Sequence, residues 1–165
     1  MSSSRDSVLG LLFLGLFLLV FSVSAQDGNK RTVLAAAKSI EENILTKESV
    51  GQRQDALKWL IETDEVHLIV CGGTFSSFSE KKNKNSSDMT LAYTIGMGAF
   101  KIANPDKAND ENAAQLAGLM LALKAYEWAV KEKPKTKFEA VEALIKKRDS
   151  GELAAVVNGY DCGKK

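Results

Sequence analysis

From Val33 to Val157 the apolar residues recur mostly every three or four positions, the spacing that lines one face of an α-helix. Val33, Ala37, Ile40 and Ile44 predict a first amphipathic helix ending near Thr46. Ser49-Val50-Gly51-Gln52 has the form of a capping box, which predicts the next helix start, and Ala56, Leu57, Leu60 and Ile61 supply its stripe. After the polar loop Asn83–Asp88, the segment Thr90–Ala103 reads as a helix with two apolar faces. Leu91, Ile95 and Ile102 form one face, and Tyr93, Met97 and Phe100 the other. Gly96 and Gly98 cost that helix about 1 kcal/mol each against alanine, and their size lets a neighbouring helix come close.

Asn104-Pro105 ends that helix, and Asp110 is placed to cap another running from about Asn112 to Lys133. Its stripe is Leu116, Leu119, Met120, Leu123, Tyr126 and Val130, widened by Leu121 and Trp128; so few polar residues interrupt it that a central position is expected. Pro134 breaks the chain, and Thr136-Lys137-Phe138-Glu139 reads as a second capping box before Phe138, Val141, Leu144 and Ile145. Asp149-Ser150-Gly151-Glu152 is expected to cap a short last helix carrying Leu153, Val156 and Val157.

One segment resists this pattern. His67-Leu68-Ile69-Val70-Cys71-Gly72-Gly73-Thr74-Phe75-Ser76-Ser77-Phe78 can place Leu68, Cys71, Phe75 and Phe78 on one helical face. Val66–Val70 is also rich in β-branched residues, and Gly72-Gly73 could end a strand. No second strand is available to pair with it, and a lone strand leaves its backbone groups unpaired, so the helical register is preferred. The expected architecture is all-α: a compact single-domain bundle of five to seven helices.

The N-terminus follows a different rule. The apolar run Val8–Val23 is followed by Ser24-Ala25 and then polar residues, the form of a signal peptide cleaved after Ala25. This divides the chain into a leader, residues 1–25, and one helical domain, residues 26–165, exported to the periplasm or secreted. The alternative is an uncleaved run that anchors the protein, although it falls short of the span of about 20 residues a membrane asks for. Contact with a membrane is expected only through that segment.

Export changes how Cys71 and Cys162 are read. In an oxidising compartment two cysteines in one domain form a disulfide, and only one pairing within the chain exists. Closing a loop of this size stabilises by about 4–5 kcal/mol through loop-closure entropy, an upper value that strain reduces.

Charge and chemistry narrow the function by exclusion. Twenty-two basic against 21 acidic residues leave a net charge of +1, which argues against a nucleic-acid partner. The clusters Lys81-Lys82-Asn83-Lys84 and Lys146-Lys147-Arg148 are short and lack interleaved aromatics, as solvated helix ends do. Gly96-Met97-Gly98 lacks the spacing of a dinucleotide loop. His67 is the single histidine, four residues before Cys71, so on a helix the two would share a face, the geometry of a metal clip or an activated thiol. A zinc site needs three or four ligands, which this chain does not supply around them, and thiol chemistry would require Cys71 to stay reduced after export. No G-x-S-x-G elbow is present, and the paired carboxylates, Glu41 with Glu42 and Glu62 with Asp64-Glu65, sit in solvated stretches. No catalytic residue, metal or cofactor is therefore expected. Asn85-Ser86-Ser87 fits a glycosylation acceptor, relevant only in a eukaryotic secretory pathway.

Ala122, Tyr126, Ala129 and Pro134 have the A-x3-Y-x2-A-x4-P spacing of the second helix of a repeat, and this half-unit resembles tetratricopeptide repeats. The upstream positions depart from the pattern at Asp106, Asn109 and Asp110, and no second copy follows. The resemblance implies a helical hairpin and, as an alternative function, a helical protein–protein interaction module in the cell envelope. The leading expectation is a non-enzymatic exported protein with a structural or binding role and a protein partner. A thiol- or metal-dependent enzyme centred on His67 and Cys71 is the weaker alternative.

Overall fold

The structure, a computed structural model, describes residues 27–43, 46–160 and 162. The leader expected over residues 1–25 lies outside the described residues. The described chain is all-α, with seven α-helices and no strand: α1 (27–43), α2 (Lys47–Glu62), α3 (Gly72–Ser76), α4 (Ser86–Ala103), α5 (Glu111–Glu132), α6 (Glu139–Asp149) and α7 (Leu153–Gly159). Among the described residues no helix is long and apolar enough to cross a membrane.

The helices α4 and α5 form an antiparallel hairpin that divides the core. Lys101 near the end of α4 meets Glu111 at the start of α5, and Asn85 before α4 bonds the Thr136 carbonyl beyond α5. The two apolar faces expected of α4 serve two separate half-cores. Ala92, Ile95 and Ala99 pack with Val33, Ala36 and Ile40 of α1, Ala56 and Leu60 of α2, and Leu121 and Ala125 of α5. Met89, Tyr93 and Met97 pack with Phe78, with Leu119, Leu123 and Tyr126 of α5, and with the buried residues of α6 and α7. Phe100, expected on this second face, is instead half-buried beside α1 and α5.

Glycine sets the closeness of the hairpin. A Cβ on Gly96 would stand 2.9 Å from Gly118 Cα, and one on Gly118 would stand 2.7 Å from the Tyr93 carbonyl oxygen. Both are nearer than real Cβ atoms come to backbone, so the helices touch main chain to main chain here. Gly98 faces the other way, against the Leu60 side chain of α2.

Three capping expectations are corrected. Helix α2 begins at Lys47, so Ser49 lies inside it, and its hydroxyl donates to the Thr46 carbonyl at 2.7 Å. Thr136 bonds back to the Lys133 carbonyl in a 3-10 turn and caps nothing; Phe138 precedes α6, and its N–H donates to the Tyr126 hydroxyl at 2.8 Å. Ser150-Gly151-Glu152 finishes α6 and does not start α7: Glu152 N–H returns to the Lys147 carbonyl and Gly151 N–H to Arg148, with Gly151 at φ 77°. This left-handed glycine stop is the usual close of a helix. Asp110, by contrast, caps α5 as expected, accepting from Ala113 N–H at 3.0 Å. Helix α4 starts at Ser86, inside the expected loop.

The segment around His67 is also corrected. It is neither helix nor paired strand; after α2 ends at Glu62, residues 67–71 run without a helical turn into Cys71, whose backbone is extended. Side chains take the place of the missing strand. Lys101 Nζ donates to the His67 carbonyl at 2.7 Å, and Gln115 Nε2 donates to the Ile69 carbonyl. Alternate carbonyls of an extended chain point the same way, so one helical layer can hold both. The inward set expected from helical spacing survives: Phe78 is fully buried, and Phe75 and Leu68 are half-buried. Phe78 packs its ring 5.3 Å from Tyr93 and 5.4 Å from Phe75, contacts of about 0.5–1.5 kcal/mol each beyond area burial.

Candidate functional site

Cys71 and Cys162 are joined as a disulfide, with Cα atoms 5.5 Å apart, inside the normal range of about 4.4–6.8 Å. Their bond ties the end of the chain to the start of α3, where Tyr160 lies over Gly73 so closely that a Cβ there would overlap its ring. His67 is exposed and, off a helix, shares no helical face with Cys71. The shared helical face expected of these two residues is therefore not formed, and Cys71 is paired with Cys162 instead. Among the described residues no group of three or more histidine, cysteine, aspartate or glutamate side chains is placed to hold a metal ion.

Asn85 is buried, and its amide nitrogen, the atom that would carry a glycan, donates to Thr136 at 2.9 Å. A sugar there would displace the bond that ties α4 to the end of α5. Tyr126, the aromatic of the repeat-like spacing, is equally committed: its hydroxyl donates to Glu142 Oε1 at 2.7 Å while accepting from Phe138. Burial first, and then the bond to Glu142, push its pKa up to about 12.

Concave surfaces flank the hairpin helices, two of them of about 780 and 980 Å³. The first is a groove of about 780 Å³ between α1, α4 and α5. Small residues, Gly96, Ala99, Ala103 and Ala117, leave its floor open, while Leu34 and Met120 stand 38% and 43% exposed on its lips. Met120 was expected in the core stripe of α5; it stands at the surface instead. Charged residues Glu41, Lys124, Glu127 and Arg148 also line the groove, with Arg148 held to Glu127 at 2.7 Å. Beside them Trp128 carries Lys124 and Lys131 ammonium groups 5.5 and 5.1 Å from its ring.

The second is a cleft of about 980 Å³ lined by residues 65–69, Lys101, Ala108, Asn109, Glu111 and Cys162. Lys101 and Glu111 pair at 2.6 Å with side chains only 5% and 12% exposed. Removing one partner of such a pair costs about 3–5 kcal/mol, because the other charge stays buried. Glu111 Oε2, Asn112 Oδ1 and Gln115 Oε1 are buried and accept no hydrogen bond among the described residues. Each such orphan costs about 1–3 kcal/mol, so this turn of α5 is held at some expense to stability. Lys101, Glu111 and Gln115 were not singled out by sequence reasoning. The available signal was a polar residue inside an otherwise apolar stretch, as Lys101 is between Phe100 and Ile102.

The chain matches no protein-family model, no curated protein and no solved structure.

Proposed function

We infer that this protein is an exported, disulfide-stapled binding domain without catalytic activity, and that it holds an apolar segment of a partner protein in the groove between α1, α4 and α5. The observation that carries this reading is the groove's makeup. Its floor is glycine and alanine, its lips are exposed Leu34 and Met120, and charged residues mark part of its wall. An amphipathic helix presenting anchors at three- and four-residue spacing suits such a surface, with its polar face left to Lys124, Glu127 and Arg148. The apolar run Val8–Val23, followed by Ser24-Ala25, supports export, and the balanced charge favours a protein over a nucleic acid as partner. A helical interaction module of the repeat type is the second reading, favoured by the antiparallel α4–α5 hairpin in which Ala122, Tyr126 and Ala129 face inward.

The test is photo-crosslinking in the native host. A photoreactive side chain replaces Met120 in one variant and Ile61, 72% exposed and outside the groove, in another. A discrete protein adduct from position 120 and none from position 61 is expected. No adduct at 120, or the same adducts from both positions, contradicts the reading.

A further inference from the structure

The side chain that joins the start of α4 to the end of α5 also brings together two runs of lysine. Asn85 donates to the Thr136 carbonyl 51 residues further on. Lys81, Lys82 and Lys84 lie just before Asn85, and Lys133, Lys135 and Lys137 surround Thr136. Both runs sit on fixed turns. Asn83 is buried, donates to the Phe78 carbonyl at 2.7 Å and accepts from Asn85 N–H at 3.0 Å, so the asparagines turn inward and the lysines outward. Pro134 and the Thr136 hydroxyl, which donates to the Lys133 carbonyl, hold the 3-10 turn of the second run. All six lysines are exposed, and none pairs with a carboxylate among the described residues. No acidic residue interrupts either run; Glu80, Glu132 and Glu139 flank them, and Asp88 stands by Arg53. Lys131 is a separate case, since its ammonium lies over the Trp128 ring.

The character of this end indicates what it meets. The six lysines line neither the groove nor the cleft, so they are not arranged around a small anion. None of the exposed large apolar residues belongs to either run, so attraction here is electrostatic and without insertion. Every one is lysine and none arginine. Compact charges on flexible stems suit a diffuse negative surface, whereas the arginine fork suits fixed carboxylates and phosphates.

We propose that this lysine-bearing end of the hairpin rests on the anionic headgroups of a lipid bilayer. The contact is separate from the leader, because α1 begins at the other end of the hairpin. There its Lys30 pairs with Glu65, beside the segment that Lys101 holds. Each lysine close to an anionic bilayer strengthens binding by about fivefold, an effect that salt screens and the flanking glutamates reduce.

Co-sedimentation of the exported protein with vesicles tests the proposal, using phosphatidylcholine alone against an equal mixture of phosphatidylcholine and phosphatidylglycerol. Binding to the mixed vesicles is expected to be stronger by about tenfold or more, and to fall as salt is raised. Lys133→Gln, Lys135→Gln and Lys137→Gln together are expected to weaken it by about tenfold or more while the melting temperature holds. Lys38→Gln, Lys58→Gln and Lys107→Gln together remove the same charge from exposed positions elsewhere, and are expected to change binding by about twofold or less. An uncleaved leader is common to all three proteins and cannot produce that difference. Equal loss in the two triple variants, or equal binding to both kinds of vesicle, overturns the proposal. So does transfer of the protein to soluble polyglutamate offered at equal charge, which would mark an acidic protein segment as the partner.

Discussion

The two sides of the α4–α5 hairpin are held to it by different means. On the side of α1 and α2 the contact is small and aliphatic: Val33, Ala36, Ile40, Ala56 and Leu60 against Ala92, Ile95 and Ala99. On the side of α3, α6 and α7 the contact is aromatic and methionine-rich, and specific bonds reinforce it. Tyr126 caps α6, Asn85 reaches Thr136, and the Cys71–Cys162 disulfide ties the end of the chain back. The difference teaches where freedom is left. The second side is covalently and directionally fixed, whereas the first is held mainly by shape, with Trp128 Nε1 of α5 donating to the Glu41 carbonyl of α1 at 3.4 Å, and leaves the groove beside Leu34 and Met120 open.

The hairpin itself is where both sides are most vulnerable. Gly118→Val places a branched side chain against the Tyr93 carbonyl, which cannot yield without parting the helices. A loss of about 3 kcal/mol or more is expected, with tryptophan fluorescence and helical circular dichroism failing together. Both tryptophans, Trp59 and Trp128, pack on the first half-core, so fluorescence reports that side. If fluorescence were unmoved, the hairpin would not be the shared wall described above.

Replacing Cys71 and Cys162 by alanine together is expected to cost about 2–4 kcal/mol, reduced from the entropic limit by residual order in the unfolded chain. Hydrogen exchange should rise first in α3 and α7, while α1 and α2 keep their protection. Faster exchange in α1 and α2 alone would reverse the comparison.

Tyr126→Phe is the smallest of the three perturbations and the most local. It strips Glu142 of a donor and leaves Phe138 N–H without its acceptor, for about 1–2 kcal/mol of lost stability. The same residue sets an alkaline limit. Its folded pKa, about 12, lies above the value of about 10 for a free phenol, so its contribution is complete below about pH 10 and is lost as pH rises through about 12. Phenylalanine at this position should flatten that alkaline decline, which a series of thermal melts between those limits would register.

The order of these effects also explains what the sequence could and could not disclose. Helix positions were legible because apolar spacing reports a local geometry, and the two faces of α4 were legible because each faces its own half-core. The Asp110 cap was legible because its bond closes within three residues. The start of α6 was not, since its cap comes from Tyr126, 12 residues back across a turn. The His67–Cys71 stretch was misread as helix for the same reason. Lys101 and Gln115 meet its carbonyls from 34 and 46 residues away, and no local signal announces them. The disulfide followed from counting cysteines in a chain expected to be exported. The groove did not, because its floor is made of glycine and alanine scattered over three helices, residues that carry no chemical label.

The central proposal is that Cys71 is an oxidised anchor in an exported binding domain and not a reactive centre. Intact mass of the protein taken from its native host, treated with maleimide before and after reduction, tests it most directly. No adduct before reduction and two after it, on a chain beginning at Gln26, is the predicted result. A maleimide adduct on Cys71 without prior reduction would contradict the account.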